Sequence, residues 1–288
     1  MFVLARMVSG SSAVSLPSAA PDDLAYEALC SLCDDADAPH PPPPPSGCAA
    51  LLSDALIAYG GECSEATLAA VDRLRAAAPP PPSCLPAAEA LWLDAGATAV
   101  AVHRGELCAL RVDAIVTAAN ASGLGCFVPA HRCVDNAVHR AAGPRLRAEC
   151  RRRMAERGGP LSAGSAPLLT AAYGLPAKCV LHVTGPQLAR GGVPTEEERA
   201  QLRACYRGCL DRARDAGLRS LGFCCISTGL FCFPPREAAR LALSTLQEWL
   251  EADEANAAAI ELVVFDVFSD ADQRIYEELA PAFFARRE

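Results

Sequence analysis

Ala114-Ile115-Val116-Thr117-Ala118-Ala119-Asn120-Ala121-Ser122-Gly123-Leu124-Gly125-Cys126-Phe127-Val128-Pro129-Ala130-His131-Arg132-Cys133 is the stretch that decides the fold. Its first five residues form a short apolar run of the kind that makes a buried strand. The chain then turns polar at Asn120, loosens at Gly123 and Gly125, and ends rich in thiols. A helix is expected next, over residues 133–141. The same alternation extends to both sides. Strands are predicted at 98–102, 114–118, 179–183, 221–226 and 260–265, and helices at 133–141, 144–155, 195–216, 235–252 and 271–282. Pro144 and Pro235 suit first-turn positions. Strands separated by helices predict an α/β sheet covered on both faces. Ligands of such sheets bind beyond the carboxyl ends of the strands.

The first third of the chain is different. Thirteen of the 23 prolines precede residue 95, with runs at 41–45 and 79–82. Proline fixes φ and lacks the N–H, so these runs read as linkers or extended spacers. Between them Leu51, Leu52, Ala55 and Leu56 share one helical face, and Ser64 caps a second helix bearing Leu68, Val71 and Leu74. Residues 1–94 therefore read as a tail and a small helical, proline-interrupted extension, and 95–288 as the main domain. Residues 1–94 carry 12 Asp/Glu against 3 Arg, so the acid excess behind the net charge of −8 sits there. The remainder is near neutral, which excludes a strongly basic nucleic-acid surface and tolerates an anionic small ligand.

Fifteen cysteines in 288 residues is an odd count. Secreted disulfide scaffolds are shorter and loop-rich. Cys179, Cys224 and Cys225 lie in apolar runs, where free thiols pack as small hydrophobes. A reducing, intracellular and cytoplasmic setting is expected. No apolar run approaches a membrane span. The first 21 residues faintly resemble an organelle transit peptide, with a disordered tail the favoured reading. Cys30-x2-Cys33 has redox or metal spacing but falls in an acidic segment read as mobile, hence incidental.

Three loops could do chemistry. Cys126, His131 and Cys133 fall within eight residues. Two thiolates and an imidazole suit Zn²⁺, and three protein ligands leave a fourth position open, as catalytic rather than structural zinc requires. The alternative is two core thiols and a surface histidine. Asp135 follows at once, placed either to orient a water or accept a proton, or to cap its helix. His139 reads as a packed, hydrogen-bonded core histidine. The second loop, Ser227-Thr228-Gly229-Leu230-Phe231, joins a strand to a helix and offers backbone N–H groups to a phosphate, or is an ordinary turn. The third feature is Phe268, at the exit of the last strand, which could cover a flat ring or pack at the core's edge.

Together these pieces resemble the macrodomain family, specifically its zinc-containing branch. The match runs in order through Val102-His103-Arg104-Gly105-Glu106-Leu107, Val112-Asp113-Ala114-Ile115-Val116-Thr117-Ala118-Ala119-Asn120, the zinc loop, and Cys133-Val134-Asp135-Asn136-Ala137-Val138-His139. It continues through Tyr173-Gly174-Leu175-Pro176-Ala177-Lys178, His182-Val183-Thr184-Gly185-Pro186, Cys224-Cys225-Ile226-Ser227-Thr228-Gly229 and Val264-Phe265-Asp266-Val267-Phe268-Ser269-Asp270. The resemblance implies a three-layer α/β/α sandwich with a central mixed sheet that binds ADP-ribose. It places Glu106 where the family usually has the Asp that reads the adenine amine, and gives Leu107 a backbone N–H to the ligand. Thr117 stands where the family usually has Asn. Ala119 would line the ADP-ribose and Asn120 its distal ribose, Ser227, Thr228, Gly229, Leu230 and Phe231 the diphosphate, and Phe268 the adenine. Asn120 and Asp135 would be catalytic, with one Zn²⁺ held by Cys126, His131 and Cys133.

The implied activity is zinc-dependent hydrolysis of mono-ADP-ribose from protein side chains, acidic-side-chain esters above all. The alternative is a reader module that binds ADP-ribose without cleaving it. A third reading makes the Cys126/Cys133 pair a thiol sensor that ejects its metal on oxidation. The expected partner is a mono-ADP-ribosylated protein; no membrane or direct nucleic-acid binding is expected, and the chain is expected to be a monomer.

Overall fold

The structure, a computed structural model, describes residues 21–38, 40, 47–77 and 90–287. Both proline runs and, but for Pro21, the tail expected over residues 1–21 lie outside the described residues. Three helices come first: α1 (Pro21–Asp35), α2 (Cys48–Ala58) and α3 (Glu65–Ala77). They bury a small core of their own, built on Ala28, Leu29, Leu32, Cys33, Leu52, Ala55 and Val71. Ser64 Oγ accepts from the N–H of Thr67, so the expected cap of α3 is formed. Helix α1 corrects the reading of Cys30 and Cys33 as part of a mobile segment. Cys33 is a core residue, since Leu29, Leu32 and Cys33 fall on the helix face turned to α2 and α3, where Asp35 also accepts from the Ser64 N–H and from Thr67 Oγ1.

The main domain is one eight-stranded mixed sheet between two groups of helices. Its elements run β1 (Leu91–Ala95), β2 (Thr98–Arg104), β3 (Ala114–Ala118), α4 (Val134–Ala142), α5 (Pro144–Arg157), β4 (Leu168–Ala171), β5 (Cys179–Val183), α6 (Glu196–Asp215), β6 (Ser220–Phe223), α7 (Pro235–Ala252), α8 (Glu254–Ala259), β7 (Leu262–Val267), α9 (Asp270–Leu279) and β8 (Ala285–Arg286). The strand order is β4-β5-β3-β6-β7-β2-β1-β8. The inner five strands, β5 to β2, are parallel, and β4, β1 and β8 add antiparallel edges. Helices α4 and α5 pack together, against β3 and β4 respectively, while α6, α7 and α9 form the other group. All five predicted strands and all five predicted helices are present. Strand β1 begins the sheet before the expected residue 95, pairing with β2 through a two-residue hairpin at Gly96 (φ 67°). The edge strand β4 has only four residues, too few to show a period.

The core is apolar and filled by large side chains. Trp249, Tyr206, Phe223 and Phe265 are all within about 1% of full burial, each contributing roughly 1.5–3 kcal/mol over an exposed side chain. Trp249 keeps its polar edge satisfied by donating Nε1–H to Asp211 at 2.8 Å. All fourteen described cysteines are free thiols. No described helix is long and apolar enough to cross a membrane.

His182, on β5, is wholly buried, with Nε2 3.0 Å from Thr170 Oγ1. Burial pushes its imidazole down from 6.5 to about 4. As pH falls from 6.5 to 4 the unfolded chain therefore takes up a proton that the folded chain refuses, and stability falls with it. Over the full window this is on the order of 3 kcal/mol. We expect His182→Gln to lose stability against wild type at pH 7 and to recover about 2 kcal/mol of that deficit at pH 5. Urea denaturation of both proteins at the two pH values checks it; a deficit that does not change with pH contradicts it.

The acidic extension docks on a basic face. Helix α5 carries six arginines and two glutamates. Arg145 pairs with Glu65 and Asp72, Arg140 with Asp54, and Arg151 with Glu62. These exposed rim pairs set orientation more than strength. A cavity of about 150 Å³ lies at this junction, walled by Leu52, Leu56, Val71, His139 and Arg147 among others.

Candidate functional site

Because β5, β3, β6, β7 and β2 are parallel, their carboxyl ends share one edge. The loops singled out in the sequence all leave from that edge. Residues 119–133 follow β3, 224–234 follow β6, 105–107 follow β2, and Phe268 follows β7. At the opposite ends, Asp113 accepts from the N–H groups of Arg219 (2.7 Å) and Ser220 (3.1 Å), so that acid ties strands together and faces no ligand.

The sulfur and nitrogen donors of Cys126, His131 and Cys133 all lie within 4.8 Å of one another, with Cys126 Sγ and His131 Nδ1 3.3 Å apart. Tetrahedral zinc, with bonds of about 2.3 Å to sulfur and 2.0 Å to nitrogen, needs neighbouring donors roughly 3.5 Å apart, so the donor set fits the ion. All three residues are half-buried, which leaves a side open. Asn136 shapes the loop: its Nδ2 donates to the carbonyls of Val128 (3.0 Å) and His131 (2.9 Å). Cys133 itself caps α4, its Sγ accepting from the Asn136 N–H. The capping role open to Asp135 is thus taken by Cys133, one ligand-type residue earlier.

Asp135 sits in the first turn of α4 and is 3% exposed. Burial pushes its carboxyl up to about 7, against the opposing charge of Arg147. Its Oδ1 is 3.7 Å from His139 Nε2, beyond hydrogen-bonding distance. His139 is packed as expected but not hydrogen-bonded: neither ring nitrogen has a partner among the described residues. The ring instead fills the space behind Gly125, where a Cβ would come within 2.6 Å of its Cδ2, and Gly125 has φ 85°. Only glycine fits there. Asn120 closes the set, donating Nδ2–H to the Gly125 carbonyl at 3.0 Å while its Oδ1 accepts from the Ser122 N–H. Asn120, Gly125, His139 and Asp135 therefore form one contiguous assembly. His139, Cys150 and His182 also bring three donors within 4.8 Å of one another, fully buried. There the thiol of Cys150 is pushed up to about 12 by burial and Thr170 occupies His182, which is core packing.

The other loops are open. Ser227 has φ 66°, and its buried Oγ presses on Gly185, where a Cβ would meet it at 2.0 Å. The turn closes through Cys232 N–H to Gly229 O and Phe233 N–H to Ser227 O, with Thr228 Oγ1 donating to Cys225 O. Among the described residues, the N–H groups of Gly229, Leu230 and Phe231 are paired with no acceptor. Phe268 is 84% exposed and Leu230 58%. Glu106 is exposed and opens a short 3₁₀ turn at Leu107. Ala119 is held by its N–H to Val183 O. Thr117 is fully buried with Oγ1 unpartnered, so it lies under the loop without reaching the cleft.

Two features escaped the sequence. His103 and Asp266 are register partners on β2 and β7, buried, with Nδ1 and Oδ1 2.7 Å apart. The His103 ring covers Gly105, so the pair supports the turn that presents Glu106. Arg147, on α5, donates to carbonyls on both sides of the extension junction. Nothing local marks either, because Asp266 is 163 residues from His103, and Arg147 reaches back 91 residues to Leu56 and 23 to Leu124.

The chain matches the model of the Macro domain family over residues 116–242. A probable bifunctional ADP-ribose hydrolase/ADP-ribosyltransferase of Fusarium oxysporum f. sp. cubense is 46% identical over 192 residues, 65% of this chain and 32% of that protein. A protein-ADP-ribose hydrolase of Treponema medium is 42% identical over 178 residues, 62% of this chain and 66% of that protein. The chain thus spans about a third of the first relative and just under two thirds of the second. A Trypanosoma brucei macrodomain solved with ADP is 37% identical, covering 62% of this chain and 68% of its own, with a TM-score of 0.51. Solved with ADP-ribose, that macrodomain aligns over 96% of this chain and 94% of its own at 28% identity and a TM-score of 0.57.

Proposed function

The chain belongs to the macrodomain family, and from that premise we propose that it is a zinc-dependent hydrolase removing mono-ADP-ribose from protein side chains, acidic-side-chain esters in particular. The observation that carries this is the half-buried Cys126, His131 and Cys133 donor set beside Asn120 and the buried Asp135, at the edge where the parallel strands end. The hydrolase names of the Treponema and Fusarium relatives and the ADP-ribose bound by the trypanosomal macrodomain support it.

In this reading Glu106 accepts from the adenine amine and Phe268 covers the ring. The free N–H groups of Gly229, Leu230 and Phe231 hold the diphosphate charge. Asn120 Nδ2 has two hydrogens; one is spent on Gly125 O, and the other donates to a hydroxyl of the distal ribose. That fixes the scissile end against Asp135, whose carboxylate positions a water and takes its proton. Zinc held by Cys126, His131 and Cys133 would supply Lewis acidity at that end of the cleft. The reader alternative accounts equally for Phe268 and the diphosphate loop, but leaves a buried carboxyl oxygen without a hydrogen bond, beside the donor set, without a use.

The test is zinc content, then ADP-ribose release from acid-, serine- and arginine-linked substrates with and without chelator. One zinc per chain and chelator-sensitive release from the acid-linked substrate are expected. Tight ADP-ribose binding with no release from any substrate would establish the reader instead. Phe268→Ala should weaken ADP-ribose binding by about tenfold by calorimetry, with Tm unchanged because the side chain touches little of the protein.

A further inference from the structure

We infer that the N-terminal helical extension is a working part of the site, and that Arg147 is the positioning residue through which it holds the loop of residues 123–133 in shape. The inference rests on that loop being the metal-binding and ribose-facing loop proposed above.

Arg147 is 6% exposed and lies between the two bodies. Toward the loop, its Nε donates to Leu124 O at 3.0 Å and Nη2 to Cys126 O at 3.4 Å, and its guanidinium stacks 4.5 Å over the Phe127 ring. Toward the extension, Nη1 donates to Leu56 O (2.8 Å), Ile57 O (3.2 Å) and Tyr59 O (3.0 Å). Those are carbonyls of the last turn of α2 and the residue after it, which a helix leaves unsatisfied and where a cation is favoured. The hydrogen bonds of this buried cation all go to carbonyl oxygens, so losing some of them leaves a buried donor unpaired even with Asp135 and the Phe127 ring nearby. If α2 lifts away, Nη1 is stranded and the loop contacts on Nε and Nη2 lose their anchor. A planar fork can bridge two bodies in this way, whereas an ammonium cannot.

Arg140 makes a second, more exposed bridge. Its Nη2 donates to Pro129 O at 2.9 Å, while Nη1 reaches Ser53 Oγ and the side chain pairs with Asp54. The loop carbonyls of residues 128 and 131 are held by Asn136 of α4. Those of residues 124 and 126 are held by an arginine that also grips the extension, and that of 129 by Arg140 as well as, more distantly, Asn136. The loop therefore keeps its form only with α2 in place.

Full-length Arg147→Lys tests this. Hydrogen exchange should show lost protection in residues 123–133 and at the end of α2 together. Transfer of zinc to a chromophoric chelator should be faster by about tenfold or more, and turnover should fall by a similar factor. Affinity for ADP, which lacks the distal ribose, should stay within about twofold, since its loops do not touch Arg147. Arg140→Ala should loosen the same loop to a smaller degree, and reads the bridge even if the Arg147 variant folds poorly. Loop protection at the wild-type level in either variant overturns the inference. So does a parallel loss of ADP affinity, which would mean general destabilisation. Absence of zinc or of hydrolysis in the wild type would sink the proposed function alone, because loop protection in the variants still decides the brace.

Discussion

Replacing Asp135 by Asn is expected to cost about three orders of magnitude in turnover on an acid-linked ADP-ribosylated protein, within the range that acid–base groups contribute, and to leave ADP-ribose affinity within about threefold. The reason is where the carboxyl sits. It is 3% exposed, its Oδ1 has no hydrogen-bond partner among the described residues, and His139 Nε2 stands 3.7 Å from it. A buried carboxyl oxygen left without a hydrogen bond beside the cleft is the mark of a group placed for chemistry. For the same reason the variant should be at least as stable as wild type, since an amide removes a buried ionisable group without removing a bond. Steady-state kinetics, calorimetry and urea denaturation on one preparation would check all three. Turnover that survives in the variant would remove Asp135 from the mechanism and move the proton transfer elsewhere.

Cys126→Ala is expected to take zinc from one ion per chain to none and to lower turnover by two or more orders of magnitude. Cys126 is the cleaner choice of the two thiols. Cys133 also caps α4 through the Asn136 N–H, so replacing it would add a cap loss of about 1 kcal/mol to the metal effect. Metal analysis and kinetics decide the point together. If the zinc leaves and turnover does not change, the ion has no part in the reaction. If zinc stays, the ligand set is wrong.

Much of this was legible in the sequence for identifiable reasons. Strand 114–118 is apolar at consecutive positions because both its faces are covered, and helices such as α7 carry a clear apolar stripe. Chemistry that lies within one loop could also be read directly. Cys126, His131 and Cys133 meet because eight residues span only a short arc, and the turn proposed for the diphosphate is five consecutive residues. Shorter or locally featureless elements were not legible. β1 and β4 are short, and α1 intersperses acids with its apolar and thiol positions, Asp23, Glu27 and Asp34 sharing a face with Cys30, so that it reads as an acidic segment until its partners α2 and α3 cover Leu29, Leu32 and Cys33.

The sequence by itself determined the α/β alternation, the helical extension, the loop that gathers Cys126, His131 and Cys133, and the acid excess of the first third. Those follow from periodicity, spacing and composition, which are local. Only the tertiary structure decided how the pieces act on one another. It buried Asp135 behind His139 and Gly125 and paired His103 with Asp266 across two strands. It laid the acidic helices on the arginines of α5, so the charge that looked like a property of the extension is half of an interface. These are matters of burial and of contact between residues far apart in the chain. The free energy of a charge or a hydrogen bond is set by what surrounds it, and what surrounds it is fixed only when the chain has folded.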